Sequence, residues 1–202
     1  MWIAPLRGTP KVREWPNPCQ AEEPRGSFGA GPMSLTPIEF RTALRSFAAG
    51  VTVVTTRDRD GRPSGLTASA FTSVSLNPPL VLICVDHAAT AHPDFRELGW
   101  FAVNILRREQ EGLSRRFAAS GGDKFQGVAF HEGRSGIPLI DGTLATLECR
   151  IVEAHEAGDH TIFIGQVESA TVDAGRPLVY FHGAYHTVAA DSEAPAAGGS
   201  QR

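Results

Sequence analysis

Apolar and polar positions between residues 36 and 188 follow two periods in turn. Thr36-Pro37-Ile38-Glu39 sets out a capping hydroxyl, a proline suited to the first helical position and a glutamate at the third. Phe40, Leu44 and Phe47 follow at helical spacing, which predicts an amphipathic helix ended by Gly50. The period then drops to two. A β-branched strand is expected over 51–56, with Asp60-Gly61 at the tip of its turn. Over 65–70, Leu66, Ala68 and Ala70 fall on one face, and Thr67 and Ser69 on the other. The alternation breaks at Ala70-Phe71, where a bulge or bend would re-aim the side chains that follow.

A fully apolar strand is expected over 80–85, short helices over 92–98 and 109–119, and a strand between them over 100–105. The longest strand pair, 144–154 and 160–172, alternates Leu147, Cys149 and Ile151 on one member and Ile162 and Ile164 on the other. Gly158-Asp159 joins the two as a compact hairpin turn. Strands over 179–181 and 185–188 close the pattern. Many strands, few helices and no βαβ alternation predict a mainly β fold, a β-barrel with a few peripheral helices.

One domain over 33–188 accounts for this pattern. Residues 1–32 are rich in proline, glycine and charge without periodicity, and are expected to form a disordered extension. Met33-Ser34-Leu35-Thr36-Pro37 reads as a domain start, so translation is expected to begin at Met33 rather than Met1. Residues 189–202, rich in Ala, Gly and Ser, are expected to be a disordered tail.

Composition narrows the partners. Charged residues make up 20% and the net charge is −3, which gives no basic face for nucleic acid and no polybasic patch for a membrane surface. No apolar run approaches the roughly 20 residues of a membrane helix, and no signal-peptide core is present. Cys19, Cys84 and Cys149 are far apart and form no Cys-x-x-Cys pair. Reduced thiols in a cytoplasmic protein are expected.

The usual nucleotide fingerprints are missing. No Gly-x-Gly-x-x-Gly follows a strand, and neither a phosphate loop nor a Gly-x-Ser-x-Gly elbow is present. His182 and His186 lie four apart on a strand-like segment, where that spacing holds them on one face but too far apart to share an ion. No metal is expected. The segment from Gly65 to Val85 stands out, because small and hydroxylated side chains run through a strand that should prefer bulk. Two readings follow: a wall that lets a flat ring approach the backbone, or a polar sheet edge.

Four motifs carry a family resemblance. They are Phe47-Ala48-Ala49-Gly50-Val51-Thr52-Val53-Val54-Thr55, then Thr67-Ala68-Ser69-Ala70-Phe71-Thr72-Ser73-Val74-Ser75-Leu76 with Pro78-Pro79-Leu80-Val81, then Phe101-Ala102-Val103-Asn104-Ile105-Leu106, and last Gly158-Asp159-His160-Thr161-Ile162-Phe163-Ile164-Gly165. In this order they resemble the short-chain flavin reductases, the reductase components of two-component flavin-dependent monooxygenases. The resemblance covers residues 36–188. It implies an FMN-binding split β-barrel of Greek-key type and a homodimer. NADH or NADPH would reduce FMN or FAD, and reduced flavin would leave for a partner monooxygenase. Hydride transfer then belongs to the two cofactors, and the protein supplies geometry and charge.

The resemblance also implies site residues. Thr67, Ala68 and Ser69 would line the flavin ring and ribityl chain, continued by Ser73 and Val74. The loop through Asp86, His87, Ala88, Ala89 and Thr90 would reach the ribityl or phosphate group, with Thr90 also suited to a helix N-terminus. Arg115, Arg116, Phe117 and Ala118, with Lys124 nearby, resemble the family's phosphate end, one arginine of the two being a solvated helix position. His160, directly after the tight turn, is the catalytic candidate: it would contact flavin or nicotinamide, or protonate reduced flavin. The other reading of His160 is a turn residue facing water. Gly183 and Tyr185 match the family near the C-terminus, but His182 and Ala184 replace two arginines there. Two other classes compete: a non-catalytic flavin carrier, and a split-barrel oxidoreductase using another cofactor, such as a pyridoxine phosphate or an F420-like molecule.

Overall fold

The computed structural model describes residues 35–188. The expected extension over 1–32, the start at Met33, Cys19 and the expected tail over 189–202 lie outside the described residues. The chain divides into two compact units after Phe40. In the first unit the capping box forms: Glu39 N–H donates to Thr36 Oγ1 at 3.2 Å, and Thr36 N–H donates to Glu39 Oε2 at 2.8 Å. This box opens α1 (Pro37–Leu44).

The helix is shorter than its apolar spacing predicts, and its stripe is not core. Leu44 is 56% and Phe47 76% exposed. Ala49 and Gly50, expected at the helix end, form β1 (Ala49–Gly50) instead, paired with a strand near the C-terminus. A backbone donor row left open on that strand takes priority over the helical pattern.

Then come β2 (Thr52–Arg57), β3 (Pro63–Ala68), β4 (Phe71–Leu76) and β5 (Pro79–Asp86). After α2 (His92–Leu98) and β6 (Trp100–Ile105), a 3-10 turn (Arg108–Gln110) leads into α3 (Glu111–Ala118). The chain ends with β7 (Phe130–Glu132), β8 (Pro138–Ile140), β9 (Ala145–Ala157), β10 (His160–Val172), β11 (Leu178–Phe181) and β12 (Ala184–Thr187). The fold is mainly β, as the pattern predicts.

Seven strands form one antiparallel sheet in the order β3-β2-β6-β9-β10-β5-β4. Its two edge strands are consecutive in the chain. Ala68 and Phe71 are three peptide units apart, at most about 11 Å, whereas six strand spacings in a flat sheet would separate the edges by about 29 Å. The sheet therefore curls on itself into a barrel. No ladder joins β3 to β4 among the described residues, so the barrel stays open along that seam. The corner residues Ser69 and Ala70 hold the seam, with Cys84 N–H donating to Ala70 O at 3.1 Å.

The barrel interior packs Val54, Ile83, Phe95, Phe101, Val103 and Phe163, all buried. On the outside of β2 a second cluster gathers Val53, Leu106, Phe117 and Leu178. This explains the β-branched run in β2, whose residues from Thr52 to Thr56 are buried on both faces. Asn104, fully buried, donates to Val53 O at 2.9 Å and accepts from Ile140 N–H at 2.8 Å, latching β8 onto the sheet. The short pair β7 and β8 was not expected, since three residues are too few to show a period. Cys149 is buried, and burial with the nearby Glu148 and Glu168 pushes its thiol up to about 12, so it behaves as an inert apolar group.

Glu148 is a buried carboxylate on β9, 4% exposed. It accepts from Ser135 N–H at 3.0 Å, Ser135 Oγ at 2.7 Å and Ser169 Oγ at 2.7 Å. Burial pushes its pKa up, but these donors outweigh it and the net direction is down. A carboxylate held below its unfolded value stabilises the fold above about pH 4.3, and that contribution is lost as pH falls through the folded pKa. Glu148→Ala should cost about 2 kcal/mol at neutral pH. The gap to the unmodified chain in urea unfolding should narrow below about pH 4.

Candidate functional site

A cavity of about 370 Å³ opens where the barrel seam meets α3 and the loop after β5. Thr67, Ala68 and Ser69 form one wall, at the end of β3 and its corner. Asp86, Ala88, Ala89 and Thr90 come from the loop between β5 and α2. Phe117 and Ala118 end α3, Lys124 follows, and His160 opens β10. These eleven of the site positions that the resemblance implies meet on this one cavity. Leu66, Ala70, Cys84, Ala91, Ala119 and Ser120 complete it. These six carry no polar signature except Ser120. Cys84 follows from strand alternation: Val81, Ile83 and Val85 are buried, so Leu82 and Cys84 face the other way.

Ser73, Val74, Arg116 and Tyr185 are not among the wall residues. The corner at Ser69-Ala70 carries Ser73 and Val74 to the opposite sheet edge, where a register shift separates Ser73 from Ser75. Arg116 is turned away, donating to Gln126 O at 2.7 Å. Tyr185 stands behind the wall: its hydroxyl lies 2.9 Å from Ser114 Oγ, and Arg115 covers its ring at 4.8 Å. Thr67 Oγ1 donates to Ser114 O at 2.6 Å, so this chain of contacts ties α3 to β3 from Tyr185 to the cavity.

The small side chains of the wall have a packing cause as well. A Cβ on Gly65 would sit 2.7 Å from Val54 O and 3.4 Å from the Phe117 ring. Gly65 therefore lets β3 lie tight on β2 and α3.

Polar groups on the cavity divide into spent and free. Asp86 Oδ1 accepts from Ala88 N–H at 2.8 Å and shapes the loop. Among the described residues, the hydroxyls of Ser69, Thr90 and Ser120 have no protein partner, which leaves them for a ligand. Lys124 Nζ donates only to backbone, Phe117 O at 3.1 Å and Gly65 O at 3.4 Å. No carboxylate pairs with it among the described residues, and burial pushes its pKa down. An anion would compensate that charge. Thr90 does not cap a helix: the cap position of α2 is Ala91, with no side-chain hydrogen bond.

His160 reaches the wall from the side of β5 and β10, opposite Asp86 in their ladder. Gly158, at φ 66°, allows the two-residue hairpin before it. Asp159 Oδ1 lies 2.7 Å from His160 Nδ1, and this contact is the main reason the Asp159 carboxyl is held below its ordinary range. The ring is thereby oriented with Nε2 as its remaining polar atom.

A histidine network missed in the sequence anchors the same loop. Thr161 Oγ1 lies 2.8 Å from His92 Nε2 and 3.2 Å from His87 Nε2. His87 Nε2 also meets Glu156 Oε2 at 2.9 Å, and Glu156 pairs with Arg96. Burial, with the nearby His87 and Arg96, pushes the His92 pKa down, so the fold favours its neutral ring. The network joins two distant stretches of chain, His87 to Arg96 and Glu156 to Thr161, and no spacing rule links them.

A family description, the flavin reductase like domain, matches residues 44–189. The chain belongs to this flavin reductase-like family. An NADH-dependent flavin reductase of Rhodococcus sp is 42% identical over 156 residues, covering 76% of this chain and 88% of that protein. The reductase subunit of a flavin-dependent monooxygenase from Rhodococcus jostii is 35% identical, over 86% of this chain and 89% of the relative. The NADH:FAD oxidoreductase of Streptomyces globisporus superposes with a TM-score of 0.73 at 43% identity, over 77% of this chain and 94% of that one. The flavin reductase-like match spans the whole barrel and every cavity residue named above.

Proposed function

We propose that this chain is an NAD(P)H-dependent flavin reductase: it brings NADH or NADPH against FMN or FAD, and the reduced flavin leaves for a flavin-dependent monooxygenase. One observation carries this reading. The small-residue wall, the free hydroxyls, the acid-free Lys124 and His160 all meet on one cavity. The wall suits a flat ring, and Lys124 suits a phosphate. Flavin and nicotinamide supply the hydride chemistry themselves. Thr67, Ala68 and Ser69 hold the ring, Ala88, Ala89 and Thr90 the ribityl side, and Phe117, Ala118 and Lys124 the phosphate end. His160 touches the reacting pair.

The proposed protein is a cytoplasmic homodimer. Supporting the dimer, Leu44, Phe47, Val74 and Leu76 are all exposed apolar side chains. An apolar groove of about 500 Å³ lined by Leu44, Phe47, Phe71 and Tyr180 adjoins the cavity through Ser69, Ala70 and Cys84. Light scattering should read about twice the mass of one chain. Two free thiols, Cys84 and Cys149, support the cytoplasmic setting.

The activity test mixes the protein with NADH or NADPH and excess FMN, FAD or riboflavin. Nicotinamide absorbance should fall with at least one pair. No fall with any pair, beside measurable flavin binding, would leave a flavin carrier instead.

A further inference from the structure

A second cavity, of about 620 Å³, adjoins the first and shares Thr90, Ala91 and Lys124 with it. Its far side is made by the turn that carries Asp58 and Arg62, by Gly121 and Gly122, and by Phe130. The shared boundary matters, because Lys124 is the cation of the first cavity. A ligand that fills the small-residue wall and ends in one phosphate stops at this boundary. A ligand that continues beyond that phosphate enters the second cavity.

The charges beyond the boundary say what kind of continuation fits. Arg62 is neutralised by Asp58 at 2.9 Å and Asp60 at 2.5 Å. Asp123 is spent on Phe125 N–H at 3.0 Å. Ser64 Oγ donates to Asp94 at 2.5 Å. Among the described residues the far side therefore offers no unpaired cation for further phosphates, and it adds the apolar surfaces of Pro63, Phe125 and Phe130. A neutral, partly aromatic nucleoside matches that lining.

We propose that the second cavity holds the adenosine half of FAD, with the diphosphate lying across Lys124, so that the protein prefers FAD to FMN. This rests on the flavin-reductase reading of the first cavity. The adenosine diphosphate half of NADH has the same chemistry, and the test separates the two sources.

The intact protein is titrated with riboflavin, FMN and FAD by flavin fluorescence. FAD should bind about ten-fold more tightly than FMN. Added ADP should weaken FAD binding about five-fold or more, and leave riboflavin binding and the KM for NADH unchanged. Ser64→Phe, which fills the second cavity alone, should bring FAD down to the affinity of FMN, with riboflavin binding confirming the fold. Equal affinities for FMN and FAD in the unmodified protein would overturn the proposal. So would ADP that raises the KM for NADH but leaves FAD binding untouched, since the cavity would then belong to the dinucleotide. Failure of all three flavins to bind would remove the flavin reading itself as well.

Discussion

Replacing His160 with alanine is expected to lower kcat/KM for NADH about 100-fold, while flavin affinity changes less than about three-fold. The split follows from how the site is built. The wall that faces a ring comes from β3, the loop after β5 and the end of α3, none of which depends on the His160 side chain. His160 comes from the other side, on a hairpin whose turn is set by backbone alone. Its ring is held by one contact, Asp159 at 2.7 Å, so removing it leaves no buried group without a partner. The loss should therefore fall on the step that involves the nicotinamide, or on proton delivery, and not on folding. Stopped-flow reduction beside a flavin titration measures both quantities. Steady-state kinetics equal to those of the unmodified protein would remove His160 from the reaction.

How much of this was legible beforehand varies by element. The helix over 92–98 and the strand over 100–105 match α2 and β6 residue for residue. Pro93 sits at the start of the first, and Gly99, at φ 73°, ends it, so the punctuation is local. The stripe Phe40, Leu44, Phe47 was equally regular, yet α1 buries no side chain. Periodicity reports that a face is apolar and does not say what covers it. The same limit applies around Arg116 and Phe117. Neighbours on a helix point about 100° apart: Phe117 and Ala118, at the end of α3, reach the cavity, while Arg116 turns back to Gln126 O.

The phase break at Ala70-Phe71 was visible, but its consequence was not. The resemblance puts Ser73 and Val74 along the same wall. The corner instead hands the chain from one sheet edge to the other, a topological step that no local pattern encodes. In the sequence, only the resemblance puts Lys124 near the phosphate end. What marks it physically is a half-buried cation on backbone carbonyls, and that emerges only when α3 and β3 are packed together.

The last glycine of the motif that begins at Gly158 shows the opposite division of labour. Gly165→Val is expected to cost about 3 kcal/mol in urea unfolding, a large part of the roughly 5–15 kcal/mol that holds a domain folded. A Cβ at Gly165 would meet the Phe101 ring at 2.6 and 2.7 Å and Cys149 Cβ at 2.9 Å. Phe101 cannot withdraw, because it is fully buried and its ring packs edge-on against Phe95 at 6.4 Å. The backbone cannot slide either: β10 is clamped between β9 and β5, with a register shift beside Gly165 already taking up the local slack. Trimming the obstacle should restore part of the loss. Gly165→Ala with Phe101→Leu should lose at least about 1 kcal/mol less than the sum of the single changes. Fully additive losses would mean that the clash is relieved elsewhere. Activity per folded molecule should stay near that of the unmodified protein below the unfolding transition, because His160 sits five residues upstream at the turn end of β10, away from the contact with Phe101. One motif thus carries two separable jobs: its first three residues aim a side chain into the cavity, and its last permits the barrel wall behind that cavity to close around Phe101.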